Sequence, residues 1–269
     1  MRLKYHLAWR TNSKGKTYED RYLLPLGVLP ERLEASATEA EECALQAKVD
    51  ALTARGLLFA VVDGVGGAPL GMAAAQKTVD TLRGLYVRPE FEPGAGIPTA
   101  REVLGRVYQA NEAVFGWGPM DGDDGVAVTD GALRPKGAAC MTVACLSPAG
   151  NVTLFQAGDT AAFVHRKRKG TLEHYTGEAD AAGRSVRSYI GLGPGLRVDT
   201  FPVHGLVRDD LLALVTDGVF PKGLSSQEAV RQVLAESEGD VKAASRQLVE
   251  RSRARGSVDD IIALVLCVA

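Results

Sequence analysis

Short apolar runs recur along the chain, and four of them border aspartates. These runs cover residues 57–62, 152–157, 211–216 and 261–268. Apolar runs of this length that are bounded by Gly, Asp or Asn are typical of buried strands. The bordering aspartates are Asp63, Asp159, Asp217, Asp259 and Asp260. The pattern therefore predicts a set of strands that hold a cluster of carboxylates at their ends.

Four stretches have helical signals. Residues 71–85 are rich in Ala, Gln and Leu and contain no Pro, and residues 99–115 place apolar side chains three and four positions apart. Both patterns predict a helix with one face toward a core. Further on, Ser225 and Glu228 have the spacing of a capping box, which predicts a helix through residue 234. Asp240 is placed to cap another helix that runs through about residue 253.

The order of these elements favours an α+β fold. Residues 138–146, 152–157 and 161–165 predict closely spaced strands joined by turns, which indicates antiparallel sheet. Weaker patterns predict strands at residues 3–9 and 21–24 and a helix or ordered insert at residues 39–52, whereas residues 176–195 are polar and Gly-rich. Strands and helix pairs do not alternate as in a doubly wound parallel fold, so we expect helices packed outside antiparallel sheets. No linker divides the chain, and we interpret residues 1–269 as a single domain.

Composition restricts the partners. The chain of 269 residues has 31 basic and 33 acidic side chains, a net charge of -2 that gives no overall attraction to nucleic acid or an anionic membrane. We expect neither as a partner. The one dense basic run, residues 165–170, lies where two strands would turn. We interpret it as a solvated hairpin loop, and a patch for an anionic partner is the alternative.

The cysteines and the apolar runs indicate a location in the cell. Cys43, Cys140, Cys145 and Cys267 have no Cys-x-x-Cys spacing, so we interpret them as buried thiols of a reducing compartment. No apolar run approaches the ~20 residues of a membrane span, and the N-terminus lacks the apolar core of a signal peptide. The expected location is the cytoplasm.

The carboxylates point to a metal site. An isolated Asp-Gly pair is most often a hairpin turn, but Asp63 and Asp217 each follow an apolar strand and no second strand follows at once. A carboxylate at the end of a buried strand is costly unless it is paired, and a bound cation removes that cost. A site with Asp and Glu but no His or Cys favours Mg²⁺ or Mn²⁺.

Five segments in order resemble a known family. Glu19-Asp20, the segment 59–67 around Asp63, Gly158-Asp159, the segment 212–218 and the segment 256–261 follow the order of the metal-dependent serine/threonine protein phosphatases, the protein phosphatase 2C family. The resemblance spans about residues 8 to 268. It implies a four-layer αββα sandwich with two metal ions at the end of its central sheets.

The resemblance also implies roles for individual residues. Asp63 would bridge two Mn²⁺ or Mg²⁺ ions, and Asp63 and Asp217 would be the main catalytic carboxylates. Asp217 and Asp259 would hold one ion, and Glu19 with the carbonyl of Gly64 would hold the other. Asp20 would act through water from outside this ligand set. Asp159 matches the residue that, with Asp217, holds a third ion in some members.

The chain departs from the family pattern at three positions. The Arg that commonly binds the substrate phosphate is replaced by Gly15, flanked by Lys14 and Lys16. Either lysine could supply charge but not a bidentate fork, so we expect weaker or differently placed phosphate binding. Many eukaryotic members have His at the position of Val65, and bacterial relatives also lack this His. Asp260 replaces the usual Asn after Asp259.

The resemblance implies a metal-dependent phosphatase of the bacterial type that acts on phosphoserine and phosphothreonine in proteins, opposing a serine/threonine kinase. One alternative is a catalytically silent phosphatase-like domain that binds a phosphorylated or regulatory partner, which the loss of the Arg motivates. Another is a metal-dependent hydrolase of small phosphate esters. Phosphopeptide and small-ester substrates distinguish these possibilities.

Overall fold

The computed structural model describes residues 3–12, 18–24, 57–66, 68–85, 99–119, 135–147, 149–176, 186–203, 205–219 and 226–268. These residues form ten strands and four helices. The strands are β1 Leu3–Arg10, β2 Arg21–Leu23, β3 Leu57–Gly64, β4 Ala139–Leu146, β5 Val152–Ala157, β6 Ala161–Arg166, β7 Thr171–Thr176, β8 Asp199–Val203, β9 Leu211–Val215 and β10 Ile261–Val268. The helices are α1 Gly71–Arg83, α2 Ala100–Phe115, α3 Ser226–Glu236 and α4 Val241–Ala254.

The strands form two antiparallel sheets of five strands each. One has the order β1-β10-β9-β6-β7, and the other has the order β2-β3-β4-β5-β8. Each of the apolar runs from which the sequence predicts a strand lies in one of these sheets. Along β3 and β4, successive side chains point to opposite faces of the sheet. Both faces are apolar because each sheet is covered on both sides. This explains why the runs contain almost no polar residues.

Three apolar clusters separate four layers. The first lies between the sheets and contains Phe59, Leu154 and Leu264. The second lies between β2-β3-β4-β5-β8 and the pair α1 and α2, and the third lies between the other sheet and the pair α3 and α4. The layers therefore follow the order helices, sheet, sheet, helices. This arrangement confirms the α+β class and the αββα sandwich.

Two of the helix starts follow local rules. The Thr99 hydroxyl accepts from the backbone N–H of Glu102, and the Glu102 carboxylate accepts from the N–H of Thr99, which completes a capping box before α2. The Asp240 carboxylate accepts from the N–H groups of Lys242 and Ala243 and so caps α4, as the sequence predicts. The Ser225 expected to begin α3 lies outside the described residues.

The sequence-based expectations give no bounds for two of the strands. β7 and β8 flank the polar stretch 176–195, and neither has a continuous apolar pattern because each is an edge strand of its sheet. The described end of that stretch is tied to α2 by Asn111. The Asn111 amide donates to the Gly193 carbonyl at 2.8 Å, and its oxygen accepts from the N–H groups of Gly191 and Gly193.

The expectation of a solvated basic loop is wrong at its first two residues. β6 and β7 do form a hairpin, but His165 is buried, and the Arg166 guanidinium pairs with Glu173 at 2.9 Å and with the buried Asp210 at 3.1 Å. Asp210 also accepts from the backbone N–H groups of Lys167 and Val207. Arg166, in the first part of the basic run, is therefore held in an internal ion pair and is not a solvated loop residue.

The structure describes three of the four cysteines. Cys140, Cys145 and Cys267 are buried free thiols, as predicted. Cys43 and the helix expected at residues 39–52 lie outside the described residues. Within the described ranges, no helix is both long and apolar enough to cross a membrane.

Replacing Phe59 tests the cluster between the sheets. Phe59 is fully buried and contacts Tyr5 edge to face at 5.4 Å between ring centroids. We expect Phe59→Ala to lower the free energy of unfolding by about 3–5 kcal/mol, because it leaves a cavity. Tyr108 is 42% exposed, and Tyr108→Ala should change stability by no more than about 0.5 kcal/mol. Urea denaturation measures both, and equal effects would contradict the assignment of the core.

Candidate metal centre

Asp63 lies at the end of β3, at the centre of a group of carboxyl groups. Its strand is buried on both faces, and it pairs with Cys140 of β4 across the ladder. Hydrogen bonds link the Asp63 carboxyl to the side chains of Asp20 and Asp217. Several carboxyl groups therefore concentrate negative charge at this end of the two sheets.

Asp20 connects the two sheets through Thr216. It precedes β2, is 1% exposed, and its Oδ2 accepts from the Thr216 hydroxyl at 2.9 Å. Thr216 follows β9, and its Oγ1 also accepts from the backbone N–H of Ile262 in β10 at 2.9 Å. A single hydroxyl therefore joins one carboxylate to the ends of two strands of the opposite sheet. Asp20 is consequently a fixed, buried group beside Asp63.

Burial and mutual repulsion raise the pKa values of these groups. Burial raises the pKa of Asp63 well above its usual range, and three neighbouring carboxylates raise it further, those of Asp20, Asp217 and Asp159. Burial also raises the pKa of Asp20 well above its usual range. The pKa of Asp217 rises to about 6 through burial and the charges of Asp159 and Asp259. The cluster thus brings together the predicted Asp20, Asp63, Asp159, Asp217 and Asp259.

Cys140 connects Asp159 to the same group. Its Sγ accepts from the backbone N–H of Asp159 and donates to the Asp159 carboxylate. Gly158 precedes this contact with φ of +100°, and a Cβ there would lie 2.4 Å from the Cys140 side chain. The turn between β5 and β6 therefore depends on glycine for both its conformation and its close approach. This turn places Asp159 within the electrostatic reach of Asp63 and Asp217.

The segment before β10 is held by several backbone contacts. The backbone N–H of Asp260 donates to Asp259 Oδ1 at 3.0 Å, and Ser257 Oγ donates to the Gly218 carbonyl at 2.7 Å. Arg253 of α4 donates to the carbonyl oxygens of Thr11, Ser257 and Asp259. These contacts place the exposed Asp259 beside Asp217, whose pKa it raises.

Glu19 lies against a narrow group of glycines. A Cβ on Gly64 would lie 2.9 Å from the Glu19 carbonyl oxygen and 2.6 Å from the backbone of Gly71, the first residue of α1. A Cβ on Gly66 would lie 3.0 Å from Glu19 Oε2. Side chains at these positions would separate Glu19 from the end of β3. The glycines therefore permit the close approach of β3, Glu19 and α1.

The donor chemistry of this cluster fits a hard divalent cation. The side chains that converge on Asp63 are carboxylates, and desolvation makes their negative charge unfavourable without a cation. In the described part of the chain, no group of three or more His, Cys, Asp or Glu side chains is already arranged as a metal cage. The carboxyl groups instead pair with one another, Asp20 with Asp63 and Asp63 with Asp217. Lys14 and Lys16, expected to bind phosphate, lie outside the described residues.

Sequence reasoning missed several residues that hold this cluster, among them Asn12, Cys140, Thr216 and Arg253. Most of their partners lie far away in sequence, so local patterns carry little signal for them. Thr216 is the partial exception, because it is the one polar residue at the end of the apolar run before Asp217. Its position could have suggested a hydroxyl that faces the predicted carboxylates.

Comparisons with solved structures identify the architecture. PppA of Pseudomonas aeruginosa, described as a key regulatory component of T6SS, has a TM-score of 0.65 at 21% identity over 99% of this chain and 98% of its own. The PPM Ser-Thr phosphatase MsPP of Mycobacterium smegmatis, in complex with cacodylate, has a TM-score of 0.65 at 18% identity over 99% and 98%. The catalytic domain of the phosphatase PstP, in complex with two manganese ions, has a TM-score of 0.63 at 18% identity over 98% and 97%.

The chain has the fold of the PPM serine/threonine phosphatases. The match covers nearly the whole chain and nearly the whole of each of these structures. No protein-family model and no curated protein matches the sequence. The PPM fold is therefore recognised from the backbone architecture and from a few carboxylates that follow one another in the expected order along the chain.

Gly218 tests the packing beneath the cluster. A Cβ on Gly218 would lie 1.8 Å from the backbone oxygen of Asp260, so Gly218→Ala must displace the segment before β10. We expect the free energy of unfolding to fall by about 3 kcal/mol or more. Urea denaturation measures this change.

Gly105 provides the matched control for this substitution. It lies on the exposed side of α2, and an added Cβ there meets nothing within 4 Å. We expect Gly105→Ala to raise the free energy of unfolding by about 0.5–1 kcal/mol, because Ala loses less backbone entropy in a helix. A Gly218→Ala protein as stable as wild type would show that the contact with Asp260 is relieved at no cost.

Proposed function

We propose that this chain is a Mn²⁺- or Mg²⁺-dependent phosphatase of the bacterial PPM type that hydrolyses phosphoserine and phosphothreonine in proteins. The observation that carries the proposal is the convergence of the half-buried Asp63 and Asp217 at the end of the two central sheets of a PPM fold. A structural role alone does not require several carboxylates to repel one another in a buried position.

In this proposal, the two ions are held by the residues that converge on Asp63. Asp63 would bridge both ions, Asp217 and Asp259 would complete one site, and Glu19 and the Gly64 carbonyl would complete the other. Asp159 is available for a third ion together with Asp217. When bound, the metal ions would activate a water molecule and neutralise charge on the phosphoryl oxygens.

The protein residues have distinct tasks around these ions. Asp20, held by Thr216, would keep a fixed acceptor beside Asp63. A bound cation would offset the burial and the mutual repulsion that raise the pKa values of Asp63 and Asp20. Cys140 would orient Asp159 through its two hydrogen bonds. Lys14 and Lys16 are proposed to supply positive charge to the substrate phosphate in place of the Arg.

The proposed partners are phosphorylated proteins, and the proposed counterpart is a serine/threonine kinase in the same compartment. The likeness to PppA, described as a regulatory component, supports a role in regulation. The complex of PstP with two manganese ions supports a dinuclear centre with Mn²⁺. The proposed compartment is the cytoplasm.

Activity with added Mn²⁺ tests the proposal. We expect the wild-type chain to hydrolyse a phosphothreonine peptide and para-nitrophenyl phosphate with Mn²⁺, and chelation of the metal to abolish both reactions. Asp63→Asn should lower turnover by at least about a hundredfold, because loss of a ligand exceeds the 10–100-fold effect of a residue that merely supports one. Steady-state phosphate release measures these changes.

Asp80→Asn is the matched control. Asp80 is an exposed carboxylate on α1 that pairs with Arg83, and its replacement should leave turnover unchanged. Hydrolysis of the small ester without the peptide would support the small-ester hydrolase instead. Absence of turnover in a folded wild-type chain that binds Mn²⁺ would overturn the enzymatic proposal and support the silent binding domain.

A further inference from the structure

We infer that Asp260 is a positioning residue that fixes Glu19, the proposed metal ligand, by accepting hydrogen bonds from both ends of the segment between β1 and Glu19. This inference rests on the proposed metal centre and adds a role for a residue that is not itself a ligand. Asp260 is the position at which the chain has a second carboxylate after Asp259.

The contacts of Asp260 are directed at two places in the chain. Its Oδ1 accepts from the backbone N–H of Asn12 at 2.6 Å and from Asn12 Nδ2 at 2.9 Å. Its Oδ2 accepts from the backbone N–H of Glu19 at 2.7 Å. Asp260 is 4% exposed, so these three bonds are shielded from water. One carboxylate therefore joins a residue just after β1 to the residue that carries the proposed ligand.

The backbone of Glu19 is fixed on its other side as well. Its carbonyl oxygen lies where a Cβ on Gly64 would approach to 2.9 Å, and its Oε2 lies 3.0 Å from the corresponding point at Gly66. Asp260 therefore holds the N–H of Glu19 while the end of β3 borders its carbonyl and carboxylate. With both sides of the peptide fixed, the Glu19 side chain leaves the backbone in a defined direction, beside Gly66.

The donors that face Asp260 require an acceptor on both of its oxygens. Asparagine has the same size but only one acceptor, and its NH₂ group is a donor. In Asp260→Asn the remaining oxygen is expected to keep the two bonds from Asn12, which leaves the NH₂ group facing the Glu19 N–H. Two donors then oppose each other in a buried place, and Glu19 loses its restraint.

Exchanging the two side chains restores the bond to Glu19 and the side-chain bond between positions 12 and 260, but it leaves the backbone N–H of residue 12 without its acceptor. In the double variant Asn12→Asp with Asp260→Asn, the amide oxygen now at position 260 can accept from the Glu19 N–H, while the amide NH₂ group donates to the carboxylate now at position 12. The net charge of the pair is the same as in the wild type. Asn12→Asp alone places two carboxylates in contact and is expected to disrupt the junction.

Asp210 supplies the matched control. It is a buried carboxylate beside the β6–β7 hairpin that also accepts three hydrogen bonds, from Arg166, the Lys167 N–H and the Val207 N–H. Asp210→Asn therefore has a comparable cost in stability without any contact with Glu19. If the two substitutions differ in their effect on Mn²⁺ affinity, the difference is due to the contact of Asp260 with Glu19 and not to the loss of a buried carboxylate.

The experiment measures Mn²⁺ binding by isothermal titration calorimetry and amide exchange of the peptide that contains Glu19 in metal-free protein by mass spectrometry. We expect Asp260→Asn to raise the Kd for Mn²⁺ about tenfold and to accelerate exchange at Glu19, since residues that orient ligands contribute 10–100-fold to affinity. The double variant should bind Mn²⁺ more tightly than Asp260→Asn and regain slow exchange at Glu19, since the exchanged side chains restore the acceptor for the Glu19 N–H. Asp210→Asn should change neither quantity.

Equal effects of Asp260→Asn and Asp210→Asn on Mn²⁺ affinity would overturn the inference, as would failure of the double variant to recover. If Asp260→Asn does not fold, the double variant decides alone, because the inference requires that variant to fold, to bind Mn²⁺ and to show slow exchange at Glu19. A wild-type chain without Mn²⁺ affinity would also overturn it. A wild-type chain that binds Mn²⁺ but hydrolyses no phosphate ester would overturn the proposed function and leave the assignment of Asp260 standing.

Discussion

The structure depends on the placement of concentrated negative charge at the point where two buried sheets end together. Asp20 and Asp63 lie at the end of one sheet, and Asp217 and Asp259 lie at the end of the other. The repulsion between them therefore acts across the sandwich. Carboxylates in such a position destabilise a fold unless protons, hydrogen-bond donors or a cation compensate them. The Thr216 hydroxyl, which donates to Asp20, is one such hydrogen-bond donor.

The surrounding architecture makes that compensation possible. Strands buried on both faces cannot move to separate the charges, because Phe59 and the other residues between the sheets fix their spacing. The turns at the strand ends are equally constrained, since Gly158 and Gly218 permit approaches that any side chain would block. The energy of the apolar layers therefore holds the carboxylates in an arrangement that they would not adopt alone, as functional sites often require.

Much of this arrangement can be predicted from the sequence, because its signals are local. Apolar runs predict β3, β5, β9 and β10 within two residues of their observed ends, and the aspartates beside those runs do converge. The sequence gives no bounds for the edge strands β7 and β8, since half-exposed strands have mixed patterns. The basic run misleads because its composition says nothing of Asp210, 44 positions from Arg166, which turns an apparently solvated cation into an internal ion pair. Partners such as Thr216 for Asp20, 196 positions apart, are likewise invisible to local patterns.

The two halves of the cluster owe their rigidity to different forces. Asp63 and Asp217 continue directly from strands whose ladders and apolar contacts fix the backbone, so their positions follow from the core. Glu19 precedes the short three-residue strand β2 and follows a connection from β1, so apolar burial alone does not determine its orientation. Polar contacts to Asp260 and close packing against Gly64 and Gly66 perform that task. A substitution of equal volume at a polar position can therefore disturb this half of the cluster, whereas the other half responds mainly to changes of volume in the core.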